Sequence, residues 1–247
     1  MLVGRGVTPY QTKGGATAFS IANSFLLDGL NKYFVIPSID LASYLQGSVD
    51  FTLLFCYKRS STGSLQALCG SAGGKFIVWH SLANTIEVYF NNGTQTAVKG
   101  TAVLNSTTGF YTLAVTYKNS NPIGSRGGIY VDSVLGVASD NVQDNTSLST
   151  GTFKIGTRSG GVNFFNGYLA QPFSLINRAL TQSEINNWHN GGKPKNPQTL
   201  FGADCKAFYN PDTSGGTAQF VMTDSINSTS ATSVNLVNTD KTTITPY

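Results

Sequence analysis

The stretch NGYLAQPFSLINRALTQSEINNWHNGG, residues 166–192, contains the signals that decide the fold. It begins with a strand-like run of apolar residues and continues into a short helix. Thr181 precedes Glu184 by three residues, and this spacing predicts a capping box at the first turn of the helix. Gly191 can end the helix in the left-handed conformation. We therefore expect a strand followed by one short helix near residues 181–190.

The predicted helix is too short to be stable by itself. Leu180 and Ile185 occupy the two positions of a hydrophobic staple at its start. Ile185 and Trp188 supply the apolar side chains that can bind it to the rest of the protein. The polar residues of the helix therefore have a structural role, and we do not expect them to form an active site.

Upstream of this stretch the chain is patterned as strands. FTLLFCYK (51–58), TIEVYF (85–90) and FYTLAVTY (110–117) each alternate between two faces. In the second of these, Glu87 and Tyr89 are expected on the face opposite to Ile86, Val88 and Phe90. GIYVDSVLGVAS (128–139) is typical of a hairpin that turns at Asp132-Ser133. Short strands separated by turns favour an all-β antiparallel sandwich over a βαβ fold.

Composition excludes two classes of partner. Charged residues make up only 11% of the 247 residues, and the formal net charge of +4 is not concentrated in a Lys/Arg cluster. A non-specific nucleic-acid groove needs concentrated positive charge. No apolar run is long enough to cross a membrane. We expect neither a nucleic-acid partner nor a membrane partner. The length is compatible with one large all-β domain or with two small domains.

The residue types needed for catalysis are scarce. Glycoside hydrolysis requires two carboxylates that flank the scissile bond. The chain has only two glutamates, of which Glu87 stands alone on a strand and Glu184 belongs to the helix cap. His80 lies in a strand and His189 at the end of the helix, where each is explained structurally. We expect no catalytic residues and no enzymatic activity.

Several motifs occur in an order that resembles a known family. The segments are FLLDGLNKYFVIP (25–37), VDFTLLFCYKR (49–59), GFYTLAVTYKNS (109–120), YVDSVLG (130–136) and the run from IGTRSGG to NNWHNG. They resemble laminin-G-like modules of the concanavalin A-like lectin and glucanase superfamily. The resemblance implies a two-sheet antiparallel jelly-roll sandwich over residues 19–192. It implies less about function, because this fold includes lectins, hydrolases, adhesion modules and structural proteins.

A second resemblance concerns the C-terminal part of the chain. FYNPDTSGGTAQFVMTDSINSTSATSVNLVN (208–238) is similar to the ends of laminin-G-like proteins encoded by tailed bacteriophages. It implies a non-enzymatic virion structural protein, such as a capsid decoration, head-fibre or tail component, assembled in the host cytoplasm. Its partners would be other virion proteins and further copies of itself. An N-terminal arm (1–18) and an extended C-terminal segment (193–247), partly packed on the sandwich, would contact neighbours.

Two other functions remain open. The first is a bacterial carbohydrate-binding or adhesion module, secreted or displayed at the cell surface. The second is a degenerate glucanase. Glycan binding is also compatible with a virion protein, which would then recognise a glycan on the host surface.

Sugar binding needs an exposed aromatic face with polar groups nearby. The glycine-flanked loop GTRSGGVNFF (156–165) is of the kind that carries function on a rigid scaffold, although its glycines also suit a simple turn. Aromatic side chains can equally fill the core of a sandwich. The candidate ligand-binding residues are Trp79, Tyr89, Arg158, Asn163 and Phe164.

Calcium is the one cofactor that the sequence makes conceivable. Calcium prefers several oxygen ligands, usually including carboxylates. Asp140 and Asp144, with Asn141 and Asn145, form the only compact cluster of such residues. A turn rich in Asp and Asn explains the same residues without metal. Asp140 and Asp144 are therefore candidate calcium ligands, and no other cofactor is expected.

Overall fold

The computed structural model describes residues 21–36, 49–71, 76–91, 95–140, 152–158, 160–213, 219–224, 226 and 230–246. The arm predicted for residues 1–18 lies outside these residues. Within them, the protein forms strands and two short α-helices. The strands are β1 Ser24–Asp28, β2 Tyr33–Ile36, β3 Phe51–Arg59, β4 Gln66–Ser71, β5 Phe76–His80, β6 Ile86–Asn91, β7 Gln95–Gly100, β8 Tyr111–Tyr117, β9 Gly127–Val131, β10 Val134–Leu135, β11 Val137–Asp140, β12 Phe153–Ile155, β13 Asn166–Ile176, β14 Cys205–Tyr209, β15 Val221–Thr223, β16 Ser230–Val234 and β17 Lys241–Thr242. The helices are α1 Gln182–His189 and α2 Pro197–Phe201.

The strands form two sheets. Sheet A has the order β10-β9-β8-β3-β13-β1-β17, with β14 also paired to β13, and sheet B has the order β11-β7-β6-β5-β4-β12-β2-β16-β15. The strand pairs of both sheets are antiparallel. The predicted all-β, two-sheet antiparallel jelly-roll sandwich is confirmed.

The core lies between the two sheets. Alternate residues of β3 point inward, and Phe51 packs across the sandwich on Phe76 and Phe90 of sheet B, with ring centroids 6.1 Å and 6.2 Å away. Phe55 packs on Phe173 of β13 at 5.9 Å. Because side chains of a strand alternate between faces, every second residue of these strands points away from this core, towards the outer face of its sheet.

The predicted hairpin is confirmed. Asp132 and Ser133 connect β9 to β10 with φ angles of 47° and 65°. Two consecutive left-handed residues form the type of tight turn whose twist matches paired strands.

One glycine of the fold-deciding stretch is required by close packing. Gly167 of β13 has a φ of 151°, and a Cβ atom there would lie 2.1 Å from the carbonyl oxygen of Lys58. Only a residue without a side chain allows β13 to approach β3 so closely.

Helix α1 begins as predicted. Thr181 accepts a hydrogen bond from the Glu184 backbone, and the Glu184 carboxylate accepts one from the Thr181 backbone. The same carboxylate forms a bidentate ion pair with Arg178, with N–O distances of 3.0 Å and 2.7 Å. The helix ends at His189. Asn190 (φ 49°) and Gly191 (φ 66°) both adopt the left-handed conformation, which was predicted for Gly191.

Both helices lie against the outer face of sheet A. Ile185 and Trp188 of α1 and Phe201 of α2 belong to a buried cluster. Sheet A supplies the other side of that cluster through Leu54 of β3, Ala114 of β8, Ile176 of β13 and Cys205 and Phe208 of β14. This cluster is separate from the core between the sheets.

Helix α2 was not expected from the sequence. Asn196 caps it by accepting hydrogen bonds from the backbone of Gln198 and Thr199, and Pro197 is its first residue. An Asn-Pro pair suits a helix start, because Asn is a favoured N-cap and Pro is preorganised at the next position.

The described part of residues 193–247 also supplies strands to both sheets. β14 pairs with β13, β17 with β1, and β16 with β2. The boundaries drawn at residues 18 and 192 stay a prediction.

Candidate functional site

The outer face of sheet B carries partly exposed aromatic and charged side chains. On β5, Phe76 and Val78 face the core, so Trp79 lies on the opposite face. The cross-strand register places Trp79 opposite Glu87 of β6, and Glu87 opposite Lys99 of β7. Opposed residues of neighbouring strands share a face, so these three side chains form one row across the sheet.

A single carboxylate holds two aromatic rings in this row. The Trp79 Nε1–H donates to Oε2 of Glu87 at 3.3 Å, and the Tyr89 hydroxyl donates to the same oxygen at 3.1 Å. The two rings meet edge to face, with centroids 5.0 Å apart. Burial and the nearby Glu87 carboxylate raise the pKa of Tyr89, so its hydroxyl remains a hydrogen-bond donor at neutral pH. Lys99 Nζ lies 3.7 Å from the other oxygen of Glu87.

The 156–165 loop brings a cation to the same place. It follows β12, and the backbone carbonyl of Asn163 accepts a hydrogen bond of 2.8 Å from the Ala67 backbone in β4. The Arg158 backbone N–H donates to the Val162 carbonyl at 3.1 Å, which closes the loop on itself. The guanidinium carbon of Arg158 lies 6.0 Å from the centroid of the Trp79 ring. This distance is within the range of a cation–π interaction.

A second aromatic pair lies at the other end of the loop. The rings of Phe164 and Tyr33 have centroids 6.0 Å apart. Lys154 of β12 places its Nζ 4.9 Å from the centroid of the Tyr33 ring. Tyr33 and Lys154 were not identified from the sequence. Their outward orientation follows from the alternation of β2 and β12, but their contact requires knowing that these two strands are neighbours.

We call the six partly exposed side chains of this surface the aromatic face: Tyr33, Trp79, Tyr89, Lys154, Arg158 and Phe164. The structure brings four of the five sequence-predicted ligand residues to it. The fifth, Asn163, has a φ of 57° and supports the loop through its backbone. That these residues bind a ligand stays a prediction.

Only one of the two candidate calcium ligands, Asp140, lies among the described residues. Asp140 ends β11, and its carboxylate accepts a hydrogen bond of 2.6 Å from the Gly127 backbone. Asp144 lies outside the described residues. Among the residues that are described, no group of three or more His, Cys, Asp or Glu is placed to hold a metal ion. Calcium binding by Asp140 and Asp144 stays a prediction.

Asp140 also lines a groove with a volume of about 500 Å³. Its lining comes from β8, β9, β10 and β11, from the chain between β8 and β9, and from residues 179 and 180. Its lining includes Thr116, Arg126 and Tyr130. Except for Asp140, none of the sequence-predicted site residues lies in it, so it is distinct from the aromatic face.

Both histidines have structural surroundings. His80 is completely buried in β5, where its ring contacts that of Tyr57 at 5.4 Å. Burial and, secondly, the nearby charge of Arg59 lower the pKa of His80 well below its ordinary value, so the ring is neutral at physiological pH. His189 ends α1, and its Nδ1 lies 2.6 Å from the hydroxyl of Thr112.

Comparison with known proteins gives a family match but no close relative. A family model named Laminin_G_3, described as the concanavalin A-like lectin/glucanases superfamily, matches residues 28–186, well over half of the chain. A search of curated proteins finds no match. In the described part of the chain, no helix has the length and apolar character needed to span a membrane.

Solved structures are similar in fold. A Bacteroides ovatus protein described as a candidate carbohydrate-binding protein superimposes with a TM-score of 0.65 at 19% identity. That match covers 89% of this chain but only 59% of the other protein. The CBM40 of the Ruminococcus gnavus IT-sialidase, solved with α2,3-sialyllactose, has a TM-score of 0.50 at 12% identity. It covers 68% of this chain and 98% of the module. At these identities the similarity establishes the fold alone.

Proposed function

Because the chain belongs to the Laminin_G_3 family of the concanavalin A-like lectin/glucanase superfamily, we propose that it is a non-enzymatic glycan-binding module. Its binding surface is the aromatic face on sheet B. The observation that carries the proposal is the partly exposed Trp79 ring, held by Glu87 against Tyr89 and approached by Arg158. Of the functions left open by the sequence, this is the carbohydrate-binding alternative.

The geometry suits saccharides for a physical reason. A sugar ring has an apolar face of C–H groups and a rim of hydroxyls, so it binds an aromatic plane together with a few fixed polar groups. Trp79 and Tyr89 stand on paired strands, and Glu87 fixes both rings through hydrogen bonds. Such a preorganised surface loses little side-chain entropy when a ligand binds.

The similar folds support the proposal by analogy. The Bacteroides ovatus protein is described as a candidate carbohydrate-binding protein, and the Ruminococcus gnavus module was solved with a bound saccharide. Analogy of fold raises the expectation of sugar binding without identifying a ligand or a site. The residue-level argument therefore depends on the aromatic face.

The experiment is a glycan-array screen with two matched substitutions. Trp79→Ala removes the central ring of the aromatic face. Tyr168→Ala removes a partly exposed ring from the outer face of sheet A, where Lys58 lies 5.3 Å from its centroid. We expect the wild type and Tyr168→Ala to bind the same glycans, and Trp79→Ala to lose at least about ten-fold in affinity. If the wild type binds no glycan, or if Trp79→Ala binds as well as the wild type, the proposal is wrong.

Assembly into a bacteriophage particle is a separate proposal. It is supported by the sequence resemblance of residues 208–238, and it is compatible with glycan binding on a virion. Mass spectrometry of purified virions tests it, because a structural component must be detected there in stoichiometric amounts. If virions of the source phage lack the protein, a secreted or cell-surface module is the remaining interpretation.

A further inference from the structure

The charges of the aromatic face are not balanced. The neighbouring carboxylate of Glu87 already accepts hydrogen bonds from Trp79 and Tyr89 and pairs with Lys99. Lys99 and Glu87 offset each other. Two cations, Arg158 and Lys154, are left over on the same surface.

Neither of these cations has an acidic partner among the described residues. In the segments that the structure describes, Arg158 and Lys154 are absent from every salt bridge, and the charged end of each lies against an aromatic ring. By contrast, Lys32 pairs with Asp240 at 2.8 Å, and Arg178 pairs with both Glu184 and Asp204 at 2.7 Å. A cation that the protein leaves without a carboxylate remains able to bind an external anion.

The two cations flank one stretch of surface. Trp79 lies on β5 and Tyr33 on β2, with β4 and β12 between them in the sheet. Three strand spacings of about 4.8 Å place the two rings ~14 Å apart across the sheet. The 156–165 loop connects the two ends, because Arg158 approaches Trp79 and Phe164 approaches Tyr33. Each end therefore combines an aromatic plane with a cation.

We infer that the aromatic face selects acidic glycans, in which a carboxylate or sulfate group binds Arg158 or Lys154 while a sugar ring stacks on Trp79 or Tyr33. This inference rests on the proposed function and gives its ligand class. A guanidinium binds planar carboxylates with two parallel hydrogen bonds, and an ammonium binds anions as a point charge. Neutral sugars would leave both cations with water alone, so they gain only the stacking part of the interaction.

Single-stranded nucleic acid also combines negative charge with planar rings. Among the described residues, the aromatic face offers only two cations without a carboxylate partner, Arg158 and Lys154, whereas such binding normally uses a continuous positive groove along the backbone. Two cations suit a glycan with one or two acidic groups better than a nucleic-acid backbone with one charge per nucleotide. A single-stranded oligonucleotide serves as a competitor in the test.

The experiment compares matched pairs of glycans that differ by one acidic group. The full-length protein is screened on sialylated, sulfated and uronic-acid glycans and on their neutral counterparts, at 50 and 500 mM NaCl. At 50 mM NaCl the acidic member of each pair should bind at least about ten-fold more tightly than its neutral counterpart, since a hydrogen bond to a charged group contributes that much. The advantage should shrink at high salt, because exposed charges are screened. Sialylated, sulfated and uronic members separate the possible sources of the anion.

Substitutions assign the effect to residues. Arg158→Gln and Lys154→Gln remove the two cations, and Lys58→Gln removes a cation from an equivalent lysine–tyrosine contact on sheet A. We expect the first two to lose the preference, so that the acidic and neutral members of a pair bind alike, and Lys58→Gln to retain the preference of the wild type. Circular dichroism melting of each variant confirms that it is folded.

Each outcome decides something. Equal binding of acidic and neutral members, abolished by Trp79→Ala, would overturn the inference and leave the proposed function intact. An acidic preference that survives the double substitution Arg158→Gln and Lys154→Gln would overturn the assignment to these cations. Displacement of the protein from acidic glycans by a dT20 oligonucleotide at lower concentration than by the free glycan would favour nucleic acid instead. Absence of any glycan binding would overturn both proposals.

Discussion

The two outer faces of the sandwich use tryptophan in opposite ways. The chain has only two tryptophans, and each lies outside one of the two sheets. Trp188 of α1 is buried against sheet A, with 1% of its surface exposed. Trp79 of β5 remains partly exposed on sheet B, where its contacts are Tyr89, Glu87 and Arg158.

The difference shows that the same residue type on an outer face has two possible roles. Sheet A receives the two helices, so its outer face becomes a second buried cluster. On sheet B the aromatic side chains contact one another and cations rather than a helix. Burial of Trp188 therefore contributes to stability, and the accessibility of Trp79 leaves it free to contribute to binding.

The largest effect on stability is expected at Trp188. Trp188→Ala removes a buried ring and leaves a cavity between α1 and sheet A, which should lower the free energy of unfolding by about 3–5 kcal/mol. Urea unfolding followed by circular dichroism measures the change. Glycan affinity of the folded protein should be unchanged, and a loss of affinity comparable to that of Trp79→Ala would remove the distinction between the two faces.

The ion pair at the start of α1 is expected to make a smaller, pH-dependent contribution. Hydrogen bonds from Arg178 and Thr181 lower the pKa of Glu184 from 4.5 to about 2. A carboxyl group whose pKa is lower in the folded state stabilises the protein above its unfolded pKa, and this stabilisation is lost as the pH falls from about 5 to about 2. Since the Glu184 side chain is 34% exposed, we expect only about 1–2 kcal/mol after allowing for solvent screening.

Glu184→Gln tests this contribution. The variant should unfold at lower urea concentration than the wild type at pH 7, and the difference should shrink as the pH falls and vanish below about pH 2. Glycan binding at pH 7 should not change, because α1 lies on sheet A. A difference that persists unchanged at low pH would mean that the carboxylate charge does not act as described.

The smallest effect on stability is expected on sheet B. Trp79→Ala should lower the free energy of unfolding by about 1 kcal/mol, because the ring is partly exposed and loses one hydrogen bond and one ring contact. The same urea measurement checks it. A loss of more than about 3 kcal/mol would mean that Trp79 belongs to the structural core in the way that Trp188 does.

Glu87→Gln sharpens the account of the aromatic face. The amide oxygen of the new side chain can still accept a hydrogen bond from Trp79 or Tyr89, but the neutral side chain no longer attracts Lys99. Its NH₂ group is a donor and cannot accept a hydrogen bond from any of these three residues, which are donors themselves. We expect a change in unfolding free energy below about 1 kcal/mol, because the ion pair is at the surface. Glycan affinity, measured by titration calorimetry, should fall several-fold because the rings are held less firmly. Unchanged affinity would contradict the positioning role of Glu87.

The sandwich fold and part of the candidate site could be predicted from the sequence. Alternation in TIEVYF placed Glu87 and Tyr89 on the face away from the core, and the capping box located α1. These features are local, so they can be read within a few residues of the chain. Helix α2 is local too, and its Asn196-Pro197 start is a recognisable helix signal, although residues 193–247 were predicted to be extended.

The remaining part of the site depends on sheet order. Tyr33 and Lys154 meet because β2 and β12 pair, although the residues are far apart in the chain. Likewise, Arg158 lies near Trp79 in a loop that the Ala67–Asn163 hydrogen bond holds against β4. No periodicity within a single strand encodes such contacts, since they depend on which strands become neighbours.

The two tryptophans allow one direct test of the central claim. The protein should give two indole N–H signals in a ¹H–¹⁵N correlation spectrum, assigned by Trp79→Phe and Trp188→Phe. The titrant is the tightest-binding glycan from the array. If the aromatic face is the binding site, the chemical shift of the Trp79 indole changes as glycan is added and levels off at the concentrations that the measured affinity predicts. The chemical shift of the Trp188 indole stays unchanged. A Trp188 signal that moves while the Trp79 signal does not would place the ligand on sheet A and contradict the account.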